Sequence, residues 1–144
     1  MTLHIIKLCV GVETVEELAQ WQAGRIRDQK KRGVKAPQLV HVTRMMPKRK
    51  DEVLDGGSLY WVIKGQIAVR QRLLDIKRVT KNGTPHCGLV YESKLVPVQR
   101  RAHRAFQGWR YFDPKDVPPD ARGGKGGANL PEALQKELVE LGLL

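Results

Sequence analysis

Two dipeptides, Lys64-Gly65 and Asn82-Gly83, do most to limit how this chain can fold. Each lies between strand-like runs. A two-residue turn of this kind reverses the chain at once and pairs its flanking strands antiparallel. A parallel sheet instead needs a long crossover, usually a helix, between paired strands. The two turns therefore place a mainly antiparallel sheet at the centre of the chain. The strand entering the first turn covers residues 59–63. The strand leaving it starts at Gln66 and reaches towards Val79. Its alternation changes phase, because Ile67 and Val69 would face away from Leu74 and Ile76 in an unbroken pleat. A bulge near Arg72-Leu73 reconciles the two halves.

The remaining elements follow from period and punctuation. Residues 3–10 are β-branched-rich and read as a strand bounded by Gly11. Thr14 with Glu17 three residues on is a capping-box pattern. It predicts a helix to about Lys31, with Val15, Leu18, Ala19, Gln22 and Ile26 forming the stripe that meets the sheet. Lys30, Lys31 and Arg32 suit the negative end of the helix dipole, and Gly33 suits the position after its end. A strand over 39–44 comes next, then a short helix over 48–54 stopped by Gly56-Gly57. Further strands are expected over 86–91, 95–99 and 108–112, with Pro97 forcing the second of these to an edge or a bulge. Residues 113–129 form a Pro/Gly-rich loop. Pro131 opens a closing helix striped by Leu134, Leu138 and Leu141. At 144 residues the chain reads as a single domain, 1–144. Its expected class is α+β: a small curved, mainly antiparallel sheet or partly open β-barrel, flanked by an N-terminal and a C-terminal helix.

Charge points to a class of partner. Lys and Arg number 26 against 15 Asp and Glu, a net +11. Acidic residues gather towards the ends, whereas 44–50 and 93–112 contain none. Arg44, Lys48 and Arg49 cluster across a turn. Arg70 and Arg72 are two apart in a strand, so both leave on one face. Phosphates call for such cations on a shared surface, and bases call for flat partners. The expectation is a nucleic-acid-binding protein, with RNA foremost. Arg44, Lys48, Arg49, Arg70, Arg72 and Arg110 would neutralise phosphates. Trp109 would be a stacking platform if exposed, and a core residue otherwise. Three alternatives remain open. One is a solvated basic surface. Another is a module that meets an acidic protein partner. The last is a small hydrolase or base-modifying enzyme acting on a nucleotide-like substrate, with Thr43, Lys48 and Glu52 as conceivable machinery.

Other chemistries find little support. Cys9 and Cys87 have no short spacing, and the four histidines (His4, His41, His86 and His103) lack a zinc pattern, so neither a disulfide framework nor a metal site is expected. His86 and Cys87 are neighbours in a strand and would leave on opposite faces, which does not make a nucleophile–base pair. Ser58 lacks a nucleophile-elbow context. The glycine-rich run at 123–127 has neither the strand nor the Lys-Ser/Thr of a phosphate loop, and reads as a linker. No cofactor is expected. No apolar run is long enough to span a membrane, and the N-terminal run is too short for a signal peptide. The expected setting is the cytoplasm, with oligomeric state open.

The runs HVTRMMPKR, GGSLYWVIKG, VRQRLLDI and AFQGWRYF resemble an uncharacterised family of small bacterial proteins, known only as a domain of unknown function. The resemblance covers most of the chain and implies no established activity. The order strand, short basic helix, Gly-Gly corner, strand, Lys-Gly turn, long strand is also similar to the PUA-like superfamily, which includes ASCH and EVE domains. That resemblance implies a curved β-barrel with a cleft for RNA or modified bases. The Gly-x-Lys-x-x-Glu-x-Arg pattern of many ASCH domains is absent.

Overall fold

The computed structural model describes residues 2–121. Its elements run β1 (His4–Leu8), α1 (Val15–Lys31), β2 (Leu39–Thr43), α2 (Lys50–Leu54), β3 (Ser58–Ile63), β4 (Gln66–Lys81), β5 (Thr84–Tyr91), β6 (Val96–Ala102) and β7 (Trp109–Phe112). The seven strands form one open sheet in the order β2-β5-β4-β3-β1-β7, with β6 paired to β4. Only β1 and β3 pair in parallel. The described residues are thus α+β, with a mostly antiparallel sheet and two helices. The closing helix expected from Pro131, and the part of the 113–129 loop beyond residue 121, lie outside the described residues.

Both hairpins form where the dipeptides place them. Lys64 and Gly65 have φ of 50° and 73°, and Asn82 and Gly83 have 52° and 78°. Left-handed backbone at both central positions gives the turn whose twist matches the strands it joins. Strand β4 is the spine of the sheet. Its first half pairs with β3 and β6, and its second half pairs with β5.

The phase change in β4 arises from two irregularities. One is at Leu74, where Leu73 faces Tyr91 but Asp75 faces Val90. This is next to the expected position. The other is at Ala68, since Trp61 faces Val69 while Val62 faces Ile67. Nothing in the sequence marks Ala68, because Ile67, Ala68 and Val69 are all apolar and all buried. The extra residue turns Ala68 and Val69 towards the larger core and leaves Ile67 in the smaller one.

Helix α1 has the ends its sequence indicates. Thr14 accepts the Glu17 N–H at 3.0 Å, while the Glu17 carboxylate accepts the Glu13 N–H at 3.3 Å. At the other end the Gly33 N–H bonds the Lys30 carbonyl and the Val34 N–H bonds the Gln29 carbonyl, both at 3.0 Å. That pair of bonds is a Schellman motif.

The helix buries Val15, Leu18 and Gln22. Val15 and Leu18 join the larger core with Ile5, Leu59, Trp61, Leu73 and Leu89. Gln22 does something else. Its side-chain amide and that of Gln71 on β4 each donate to the other, at 2.8 and 2.7 Å. Gln71 also accepts the Trp61 indole N–H at 2.9 Å and donates to the Glu92 carbonyl at 2.8 Å. Gln71 is fully buried and Gln22 nearly so. Burial of these amides is tolerable because each has partners.

The opposite face of the sheet carries a smaller cluster of Ile6, Tyr60, Val62, Ile67 and Val98. At the corner after α2 the chain comes within contact of itself. A Cβ on Gly57 would lie 2.2 Å from the backbone oxygens of both Leu3 and Val53, so only glycine fits there.

The Gln71→Leu variant orphans both Gln22 and the Trp61 indole N–H. It is expected to lose roughly 2–4 kcal/mol of stability. The Gln22→Leu/Gln71→Leu pair should recover part of that loss, since it no longer leaves the Gln22 amide buried without Gln71. Urea unfolding of the three proteins measures both effects.

Candidate nucleic-acid interface

Strands β2 and β7 are the two ends of the sheet and do not pair with each other. Side chains tie them instead. The register of β7 on β1 sets Trp109 beside Lys7 and Tyr111 beside Ile5. Both rings therefore turn to the larger core, where they meet edge-on with centroids 4.9 Å apart. The Trp109 indole N–H donates to the Met45 carbonyl at 2.8 Å. The Tyr111 hydroxyl accepts the Arg49 backbone N–H at 2.9 Å. The segment that leaves β2 is thus held along β7, and the sheet curls on itself.

A groove of about 680 Å³ lies at this seam. One wall is residues 42–45. Another is the β4–β5 turn region, with Lys81, Asn82, Thr84 and His86. The third is residues 107–109. Arg44 and Lys81 bring positive charge, and no Asp or Glu lines the groove among the described residues. Met45 is 70% exposed and gives it an apolar lip. Trp109 is half-buried, its indole orientation set by the bond to Met45.

The residues expected to contact nucleic acid divide between surfaces. Arg44 and Trp109 meet in the groove. Lys48 and Arg49 are exposed on the segment that runs from it towards α2. The Arg49 guanidinium bonds Glu52, with Nη2 to Oε1 at 2.8 Å, and lies 5.7 Å from the Tyr111 ring centroid. Arg70 and Arg72 do share a face, paired with Tyr60 and Ser58 respectively, but it is the face of the smaller core. Arg110, next to Trp109 in β7, turns to that same face and lies over the Phe106 ring at 5.1 Å.

Arg70 is engaged within the protein. It donates twice to the Asp120 carboxylate, at 2.7 Å each, and once to the Ser58 hydroxyl at 3.0 Å. The Arg70 guanidinium holds the Asp120 carboxyl below its ordinary range. Asp120 lies on a segment bound along β6, through a Gln99 N–H to Pro119 carbonyl bond and an Ala121 N–H to Pro97 carbonyl bond. Behind this pair, His4 Nδ1 accepts the Ser58 backbone N–H at 3.0 Å.

Sequence reasoning passed over several groups that the fold brings to the seam. Lys81 and His86 flank a turn that was recognised only as a turn. Lys7 and His41 lie in the strands predicted over 3–10 and 39–44, where their position gives no sign of a site. The His41 ring meets the Trp61 indole edge-on at 5.5 Å. Burial, reinforced by the charges of Lys7 and Lys81, pushes His41 down to about 4. Burial also holds Lys7 below the ordinary lysine range. No pattern in the sequence announces these meetings, because they depend on how far the sheet curls.

The arrangement offers little for covalent chemistry. Burial pushes the Cys9 thiol up to about 11 and raises Cys87 as well, so neither is a ready thiolate. Cys87 is fully buried while His86 faces the groove. Thr43 lines the groove, but Glu52 lines a separate shallow depression with Asp51 and Asp55. No group of three or more His, Cys, Asp or Glu among the described residues is placed to hold a metal ion. No helix among them is long and apolar enough to cross a membrane.

Comparison with family models matches residues 5–144 to the family described as "Protein of unknown function (DUF1489)". The chain belongs to this family. Among curated proteins and among solved structures it has no significant match. Family membership accounts for the shared sequence runs and carries no activity with it.

A histidine that binds its proton less readily when folded stabilises the fold least in acid. The unfolded His41 takes up a proton near its ordinary 6.5, and the folded one only near 4. Its contribution is complete above about pH 6.5 and falls as the pH drops towards 4. His4 is shifted in the same direction by burial and by Arg70. The urea midpoint is expected to hold steady from pH 8 to 7 and to fall by pH 5, with His41 contributing on the order of 1–2 kcal/mol to the loss. The His41→Phe variant should lose less between pH 7 and 5.

Proposed function

We propose that this protein binds single-stranded nucleic acid, RNA foremost, in the groove at the seam between its two edge strands. The observation that supports this most is the lining itself. Arg44, Lys81 and Trp109 converge there with no carboxylate among the described residues. Cations fixed at a groove attract phosphates and release their counterions. An indole held by its own hydrogen bond is already oriented for a base, and a stacked base contributes about 1–3 kcal/mol. Asn82, Thr84 and Gln107 add donors and acceptors for base edges. The groove has the volume of a small-ligand pocket, which suits a few unpaired nucleotides better than a duplex.

The net charge of +11 supports the same partner class through long-range attraction. Lys48, exposed beside the groove, extends the cationic path along the backbone of a bound strand. The similarity in element order to PUA-like domains agrees with this reading, as does a cytoplasmic setting. Arg70 belongs to this account only at a distance, since Asp120 already holds it.

A fluorescent RNA 12-mer is expected to bind with an affinity that falls steeply as salt rises. The Arg44→Ala/Lys81→Ala pair should weaken binding at least about tenfold and flatten the salt slope by roughly 1.4, the value for two phosphates on a single strand. Fluorescence anisotropy across a salt series reads both. No binding at low salt, or a double variant equal to the native protein, would overturn the proposal.

A further inference from the structure

Beside the groove lies a cation with no counter-ion among the described residues. Lys7 stands in β1 between Trp61 of β3 and Trp109 of β7. Its side chain leaves on the same face as that of Ile5, towards the larger core. It is half-buried, and among the described residues it has neither a carboxylate partner nor a side-chain hydrogen bond. From across the curl, His41 of β2 reaches the same Trp61 indole that flanks Lys7. Trp109 in turn lines the groove. The ammonium, the imidazole and the groove therefore share one corner of the molecule. The charges of Lys7 and Lys81 both act on His41, which links that corner to the cationic wall of the groove.

We infer that Lys7, paired with the groove residue Trp109, and His41 form an anion-receiving subsite next to the groove, outside its own lining, suited to a phosphomonoester: the terminal phosphate of a bound strand. The inference rests on the nucleic-acid reading of the groove and deepens it. A partly desolvated ammonium without an anion is costly, and an arriving phosphate removes that cost. The neutral imidazole of His41 adds one N–H donor without adding charge. The Trp109–Met45 bond lies beside Lys7 and closes the seam there. On this reading the bond favours a chain end over a strand that continues past it. A terminal phosphate also carries close to two negative charges at neutral pH, where an internal phosphodiester carries one.

The test compares RNA 12-mers ending in a 5′-phosphate, a 3′-phosphate or hydroxyls only. One phosphorylated end is expected to bind at least about fivefold tighter than the hydroxyl-ended strand. The Lys7→Met variant, which keeps the apolar stem, should erase that preference, bringing the three strands to one affinity. Equal affinity of all three strands for the native protein overturns the subsite and leaves the groove reading standing. Should none of the strands bind, thermal unfolding with and without inorganic phosphate separates the two ideas. A phosphate-dependent rise in Tm in the native protein, absent in Lys7→Met, retains the subsite with a free phosphoester as its ligand and overturns the groove reading. No such rise overturns both.

Discussion

Gln71 is where helix, strands and loop are joined. Its side chain lies at the middle of the longest strand and binds at once to α1 through Gln22, to β3 through Trp61 and to the residue after β5 through the Glu92 carbonyl. Apolar contacts alone would let a helix slide or rotate on a sheet at little cost, because they have no direction. A reciprocal amide pair has one arrangement, and missing it would leave two buried amides unpaired. The network therefore fixes which part of the sheet α1 covers. At the seam between β2 and β7 the two strands do not pair, and side chains of β7 hold the segment that leaves β2.

The seam draws chemistry-bearing side chains together from distant parts of the sequence. Where β2 and β7 approach, the polypeptide supplies Arg44, Met45, Lys81 and Trp109 from three separate stretches of chain. On the other face Arg72 stays exposed, but Arg70 and Arg110 are engaged by the protein's own structure. Arg70 holds Asp120 and so secures the segment that lies along β6, while Arg110 rests on Phe106. Position decides these different fates. An arginine beside a carboxylate brought in by a later segment becomes part of the fold, and a cation at an open seam stays available to a partner.

Much of the architecture was legible in the sequence because it is set locally. The turns at Lys64-Gly65 and Asn82-Gly83 need left-handed backbone, and those residues tolerate it. The ends of α1 are written in Thr14, Glu17 and Gly33. The bulge at Leu74 showed as a break in alternation. The bulge at Ala68 did not, because a small apolar residue inserted among apolar neighbours leaves the pattern intact. The parallel pairing of β1 with β3 joins residues more than fifty positions apart, and no local signal specifies it. The candidate site was legible only in part. Arg44 and Trp109 stood out by charge and by aromatic character. Lys81 falls between the strand predicted to reach towards Val79 and the Asn82-Gly83 turn, and Lys7 and His41 fall within predicted strands. Their meeting depends on the curl of the whole sheet, which follows from the two bulges and the Trp109–Met45 bond together.

The central claim is that the seam, and not the arginine-bearing opposite face, meets nucleic acid. The most direct measurement is an NMR titration of isotopically labelled protein with a short single-stranded RNA, following every backbone amide and the indole N–H of each tryptophan. The account predicts that the shifts gather at residues 42–45, 81–86 and 107–109, with the Trp109 indole among the largest. Shifts centred on Arg70, Arg72 and β6, with the Trp109 indole unmoved, would contradict it.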